Sequence, residues 1–237
     1  MIVFNTEAEE RKARLCGWRI PDSFVLPHLV KLSSWKHLPP RSAFEDFFPQ
    51  VKGAEVILFV GRINWVKNID KLIDALATVR MRRPSAMLVC VGPDSDGHTQ
   101  ELVRRAEAQN LDSKVLFTGM LVGDRLKAAY SRADVAALVS QKENFGLTVA
   151  EALSSGLPVV VSTGVDLSAG WESTGPVRRV TPTPPEIASA VVELLERVSD
   201  RGLPDLEAQA LAENEWGQPH MRKLADTFCS VLPRNKS

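Results

Sequence analysis

No excess of charge of either sign is present: 29 lysines and arginines face 29 aspartates and glutamates in 237 residues, for a formal net charge of zero. That balance argues against nucleic acid as a partner, and against an acidic tail, since both depend on a net field of one sign. Long hydrophobic runs are missing too. No apolar stretch approaches the ~20 residues that a membrane span requires, and Glu7, Glu9 and Glu10 interrupt the first fifteen residues where a secretory leader would be apolar. Cysteine is scarce: Cys16, Cys90 and Cys229 are odd in number and far apart. With no Cys-x-x-Cys or Cys/His grouping they exclude a zinc or disulfide framework and fit small buried thiols in a reducing cytosol. His28, His37, His98 and His220 lie in four separate segments without ligand spacing and read as surface or packing residues. The expected location is the cytoplasm. The basic groups Arg80, Arg82, Arg83 and Arg178, Arg179 read as solvated faces, with peripheral attachment to the inner face of a membrane as the alternative.

What is present is an ordinary globular composition. At 44% hydrophobic and 24% charged residues, the chain sits near the averages of roughly 45–50% and about 25%. From about residue 55, short β-branched or apolar runs alternate with longer amphipathic segments. The candidate strands are Val56–Val60, Ala86–Val91, Lys114–Thr118, Asp134–Val139, Pro158–Ser162 and Val177–Val180. Between them apolar residues recur at three- and four-residue intervals, as in Ile69, Leu72, Ile73, Leu76 and Val79. Strands that are continuously apolar are buried on both faces, the signature of a parallel sheet covered by helices. The fold class expected is therefore α/β, a Rossmann-like doubly wound parallel sheet, closed by a helix over Pro185–Val198. Residues 1–50 hold the run Ile2–Phe4, a helix candidate at Glu7–Leu15 and the apolar Phe24–Leu26, too little for an independent core. The tail from Leu203 reads as one or two surface helices anchored by Trp216 and Phe228.

In a doubly wound sheet, ligands bind beyond the carboxyl ends of the strands. Two such ends carry unusual residues. After Phe59-Val60 come Gly61-Arg62 and, five positions later, Lys67, which puts two cations in a loop ahead of a helix. The dinucleotide fingerprint G-x-G-x-x-G is absent there, which removes the main support for NAD. The second end continues into Glu143-Asn144-Phe145-Gly146-Leu147-Thr148-Val149-Ala150-Glu151, where Gly146 and Thr148 fall in the first turn of a helix. Free backbone N–H groups at a helix start make an anion site. The two glutamates are too far apart for a retaining-glycosidase pair: eight helical residues span about 12 Å at ~1.5 Å each, against roughly 5–5.5 Å. Glu151, within the helix, suits hydroxyl groups, and Glu143 can reach further into the crevice. Asp94-Ser95-Asp96-Gly97 reads as a turn. Trp65 reads as packing first and as a base or acceptor contact second.

Taken together, Leu58–Arg62 with Lys67 and Asn68, Val115–Gly119, Ala133-Asp134, and above all Glu143 to Glu151 continued by Gly156–Val160 resemble the carboxy-terminal, nucleotide-sugar-binding domain of family-four retaining GT-B glycosyltransferases, the glycosyl transferases of group 1. The resemblance is good over about residues 53–200. It implies that Arg62 and Lys67 contact the diphosphate of a UDP- or GDP-sugar, that the backbone at Gly61 and around Phe145, Gly146, Leu147 and Thr148 holds phosphates or sugar, that Glu151 binds the ribose and Glu143 the transferred sugar, and that Met120 and Leu121 face the base. It implies no metal and no further cofactor. It also divides the chain: residues 1–50 as a remnant of the acceptor domain and linker, 51–200 as the nucleotide-sugar-binding domain, and 201–237 as helices packing back toward the missing domain. The expectation is a truncated donor half, inactive alone, whose acceptor, a glycan or lipid-linked sugar, is held by the missing domain or by a partner chain that supplies it. The alternatives are a non-catalytic interaction module, a subunit of a split enzyme, and an epimerase or phosphorylase on the same architecture.

Overall fold

The computed structural model describes residues 2–231 apart from Trp18, Leu29 and Ser95, with the backbone alone for residues 201, 219, 220, 223, 228, 230 and 231. Six parallel strands form the main sheet: β3 (Glu55–Val60), β4 (Ala86–Val91), β5 (Val115–Gly119), β6 (Val135–Leu138), β7 (Val159–Ser162) and β8 (Val177–Val180). Their order across the sheet is β5-β4-β3-β6-β7-β8. The chain therefore leaves β3 in one direction and returns to its other side at β6, so the strand order reverses between these two. That is where a crevice opens in such sheets. All six residues of β4 are buried, as are all four of β6 and of β7, because helices cover both faces.

The covering helices are α3 (Ile69–Arg82), α4 (Thr99–Glu107), α5 (Gly123–Arg132), α6 (Leu147–Ser154) and α7 (Pro184–Arg201). Every member of the periodic series Ile69, Leu72, Ile73, Leu76, Val79 is buried, so one apolar face of α3 accounts for its docking. Most expected strands match to within a residue; Lys114, Asp134 and Pro158 fall just before the first paired position. Asp134 serves as a bracket: its carboxylate accepts the Val56 N–H at 2.7 Å and a bond from Arg41 at 2.8 Å. The buried Arg132 beside it donates to Glu45 at 2.8 Å and to the Ala54 carbonyl at 2.8 Å. These bonds clamp the segment containing α2 (Ser42–Glu45) against β3 and β6.

The N-terminal segment is a small β-α-β unit, with β1 (Ile2–Phe4) parallel to β2 (Ser23–Val25) and α1 (Glu7–Leu15) between them. Residues 1–20 thus hold one strand and a helix, and a second strand follows. Helix α1 is capped by Thr6, which accepts the Glu9 N–H at 3.1 Å, while Glu9 accepts the Asn5 N–H at 2.8 Å. At the other end, α8 (Leu206–Trp216) packs on α6 and is followed by α9 (Gln218–Val231). Trp216 is buried as an anchor, and it faces residues of this same fold; the side chain of Phe228 lies outside the described residues. The cysteines correct one expectation: Cys90 is buried, but Cys16 and Cys229 are exposed, because both fall on the terminal helical segments that add little to the core. The arginine groups also differ from a freely solvated face. Arg82 pairs with Glu196, Arg83 with Glu55 and Arg178 with Glu193, and Arg80 donates to the Ala86 carbonyl. No helix among the described residues is long and apolar enough to cross a membrane.

Asp205 holds α8 in place. Its buried carboxylate accepts the N–H groups of Glu207 at 2.9 Å and Ala208 at 3.3 Å, pairs with Arg197 at 2.6 Å, and its own N–H donates to Gly156 at 2.8 Å. Burial alone raises its pKa, but the Arg197 guanidinium and the helix N–H groups outweigh this and hold it below the usual carboxylate value. Its contribution is present above the ordinary carboxylate range and is lost as pH falls through the depressed value. Asp205→Ala removes a cap and leaves Arg197 without its buried partner. We expect a loss of about 2–4 kcal/mol of unfolding free energy, read from the urea midpoint.

Candidate functional site

The reversal of strand order sets the carboxyl ends of β3 and β6 side by side. At the first, Gly61 donates to the Val91 carbonyl at 2.9 Å and Ile63 to Pro93 at 2.9 Å, so the loop leaving β3 lies against the one leaving β4. The approach is close enough to require glycine: at Gly92, with φ +149°, a Cβ would fall 1.8 Å from the Gly61 carbonyl oxygen. Arg62 follows, exposed, with no hydrogen bond or ion pair among the described residues. A 3-10 turn, Trp65–Lys67, then leads to Asn68, which starts α3 in the left-handed conformation at φ 52°.

Three contacts lace this loop to the one beyond β6. Asn68 is buried and its side-chain amide donates to the Val139 carbonyl at 2.8 Å; the Gln141 N–H donates to Val66 at 2.8 Å; and the Lys67 ammonium pairs with the Glu143 carboxylate. Glu143 is in turn held through its backbone, donating to Gly164 at 2.9 Å and accepting from the Asp166 N–H at 2.8 Å. The chain then reaches Gly146, the N-cap of α6, at φ +69°. A Cβ there would meet the Leu138 methyl at 2.9 Å, so glycine is needed for both conformation and space. The helix therefore starts at Leu147, with Gly146 just ahead of its first turn. The N–H groups of Phe145, Gly146, Leu147 and Thr148 have no partner among the described residues. They are the orphan donors of a helix start and carry its positive end.

A cleft of about 240 Å³ lies over these groups, walled by Gly61, Lys67, Glu143 and residues 144–148, with Asn5 and His28 closing it from the N-terminal segment. Seven of the residues expected at the site, Gly61, Lys67, Glu143, Phe145, Gly146, Leu147 and Thr148, thus meet in one place. Phe145 contributes its backbone, since its ring is buried edge-on against His28 at 5.0 Å and Trp216 at 6.3 Å. Four expected residues lie outside this wall. Arg62 is exposed beside it. Met120, at 68% exposure, and Leu121 follow the edge strand β5. Glu151 sits one turn into α6, where its carboxylate accepts the Tyr130 hydroxyl at 2.7 Å. Burial pushes the Glu151 carboxyl upward, only partly opposed by that bond, and burial pushes the Tyr130 phenol well above its usual value. A narrow recess lined by Tyr130 shares Val60, Leu138 and Thr148 with the cleft.

Several site residues have no local sequence signal. His28, read as surface or packing, is an exposed wall of the cleft, and Asn5 reaches it from the end of β1; both arrive by tertiary packing. Asn68 belongs to the motif that follows Lys67, but its left-handed backbone and its bond to Val139, like the role of the Asp166 backbone, are recognisable only from the paired loops. Asp94 matches its reading as a turn residue: it accepts N–H groups from Asp96, His98 and Thr99. The arrangement offers an anion two cationic side chains, one of them already paired, and a set of unpaired N–H donors at a helix start.

The family described as glycosyl transferases group 1 matches residues 42–172. Among curated relatives, the D-inositol 3-phosphate glycosyltransferase of Salinispora tropica is 39% identical over 114 residues, covering 45% of this chain and 24% of that protein. The protein of the same description from Kineococcus radiotolerans is 33% identical over 169 residues, 68% of this chain and 39% of that protein. The chain thus spans well under half the length of these relatives. Among solved structures, that of Anabaena Alr3699/HepE in complex with UDP superposes with a TM-score of 0.83 at 22% identity, over 98% of this chain and 64% of that one. That likeness establishes the fold.

The loop lacing yields a stability test. Asn68→Ala loses a buried hydrogen bond and places alanine in a left-handed conformation, and is expected to cost about 1–3 kcal/mol in thermal denaturation.

Proposed function

The chain belongs to the glycosyl transferases group 1 family, and from that premise we propose that it is the donor half of a retaining glycosyltransferase, binding a nucleoside-diphosphate sugar in the cleft between the β3 and β6 loops. The observation that carries the reading is the set of unpartnered N–H groups at residues 145–148, facing the same cleft as Lys67 and Glu143. When the bond between sugar and phosphate breaks, negative charge builds on the leaving diphosphate. Donors and cations already in place stabilise that charge without reorganising.

In this reading the α6 start and Gly61 receive the phosphates, and Arg62, which has no partner among the described residues to give up, closes over them. Lys67 exchanges its pairing with Glu143 for the diphosphate, which frees the Glu143 carboxylate to accept hydroxyls of the transferred sugar. Glu151 holds the ribose and the backbone near Met120 and Leu121 faces the base. The acceptor, a glycan or lipid-linked sugar, is held by a second domain that completes the cleft, and this half alone transfers nothing because it cannot position the attacking hydroxyl. The β1–β2 sheet is where that domain docks, whether from the same chain or a partner, since Ile2 and Val3, on its opposite faces, are 39% and 50% exposed.

Calorimetric titration of the folded chain with UDP and GDP tests the proposal. One of them is expected to bind, with at least about a tenfold loss on Arg62→Ala or Glu151→Ala. The nucleotide that binds should also raise the melting midpoint. Absence of affinity for both would remove the donor-site reading.

A further inference from the structure

The Glu151 carboxylate has one side-chain partner among the described residues, the Tyr130 hydroxyl. That hydroxyl is not free to move. The Tyr130 ring is 1% exposed and lies edge-on to Trp35 at 4.8 Å and 67°. Its neighbour Ser131 is tied to the Pro39 carbonyl at 2.6 Å, and Arg132 to Glu45 and Ala54. The end of α5 is therefore locked to the segment before the sheet, and the ring is locked with it. A phenol donating from a fixed ring occupies one carboxylate oxygen and fixes the carboxylate plane, so the second oxygen is presented in one direction. The recess that Tyr130 lines shares Val60, Leu138 and Thr148 with the cleft, which sets the Tyr130 ring behind the cleft wall, and Glu151 follows Thr148 by three residues on α6, on the same side of that helix.

We propose that Tyr130 is a positioning residue that orients Glu151 and thereby sets the preference of the site for ribose over deoxyribose. This rests on the reading of Glu151 as the ribose ligand. A vicinal diol is held well by a carboxylate only if the oxygens are aimed at it, because a rotating carboxylate must give up that freedom on binding. Without the Tyr130 hydroxyl, the carboxylate loses its aim and one buried oxygen loses its partner. A defect in packing would weaken every nucleotide alike. A defect in aim weakens ligands according to the sugar hydroxyls they carry.

The test is calorimetric titration of the full chain with UDP and GDP, each against its 2′-deoxy counterpart. Wild type should prefer the ribonucleotide by about tenfold or more. Tyr130→Phe should bring that ratio to within about threefold by weakening the ribonucleotide, with the deoxynucleotide changed less than about twofold. Glu151→Ala should collapse the ratio in the same way. Trp35→Leu keeps both hydrogen-bonding groups and loosens the ring, and should give an intermediate ratio even if Tyr130→Phe does not fold. Equal weakening of both nucleotides in Tyr130→Phe, or a wild-type ratio in either Tyr130→Phe or Trp35→Leu while Glu151→Ala collapses it, overturns the role of Tyr130 and leaves the ribose reading standing. A ratio unchanged in Glu151→Ala, or no ribose preference in wild type, overturns the ribose reading and this inference with it.

Discussion

Everything at the cleft depends on the lacing of the β3 loop to the β6 loop. The Asn68 amide on the Val139 carbonyl, the Gln141 N–H on Val66 and the Lys67–Glu143 pair turn two independent connections into one wall. Buried hydrogen bonds of this kind are costly to break because each group would be left dry and unpaired. The consequence is that Lys67 and Glu143 stand at fixed positions over the helix start. The unpaired N–H groups of residues 145–148 are held in place beside them, the kind of preorganisation under which electrostatic stabilisation is most effective.

Helix α6 is supported from behind by elements remote in the chain. Helix α8 packs on it, pinned by Asp205 to Arg197 and to the turn at Gly156. Trp216 at the end of α8 meets the Phe145 ring, which also meets His28. The N-terminal helix joins the same structure through the Lys12–Asp166 pair at 2.5 Å and the Asn144–Glu9 bond at 3.2 Å. Three separate parts of the chain thus converge on residues 143–146. A site built on a loop is held as precisely as its neighbours hold it, and here those neighbours come from both termini.

The fold was largely legible because its signals are local. The apolar runs of β4 and β7 and the spacing of Ile69 to Val79 need only nearest neighbours along one element to be read. The cationic loop and the Gly146 helix start were legible for the same reason. Less legible were residues whose role comes from what they face. His28 carries no motif; it becomes part of the cleft because β2 and the turn after it pack beside Phe145. Cys16 and Cys229 read as buried on composition and are exposed because their helices lie at the periphery. Tyr130 sits in an unremarkable amphipathic helix, and only the approach of α5 to α6 gives its hydroxyl a carboxylate.

The residues by themselves determined the parallel α/β architecture, the two strand ends that flank the cleft, and the family to which the chain belongs, since these rest on periodicity and short-range spacing. Tertiary structure decided which groups are free and which are already spoken for. Among the described residues it left Arg62 without a partner, paired Lys67 with Glu143, turned the Phe145 ring inward and placed Glu151 under the Tyr130 hydroxyl. The physical reason is that ion pairs and buried hydrogen bonds are set by distances across the fold, over separations of 76 residues for Lys67 and Glu143 and 21 for Tyr130 and Glu151, which no local pattern encodes.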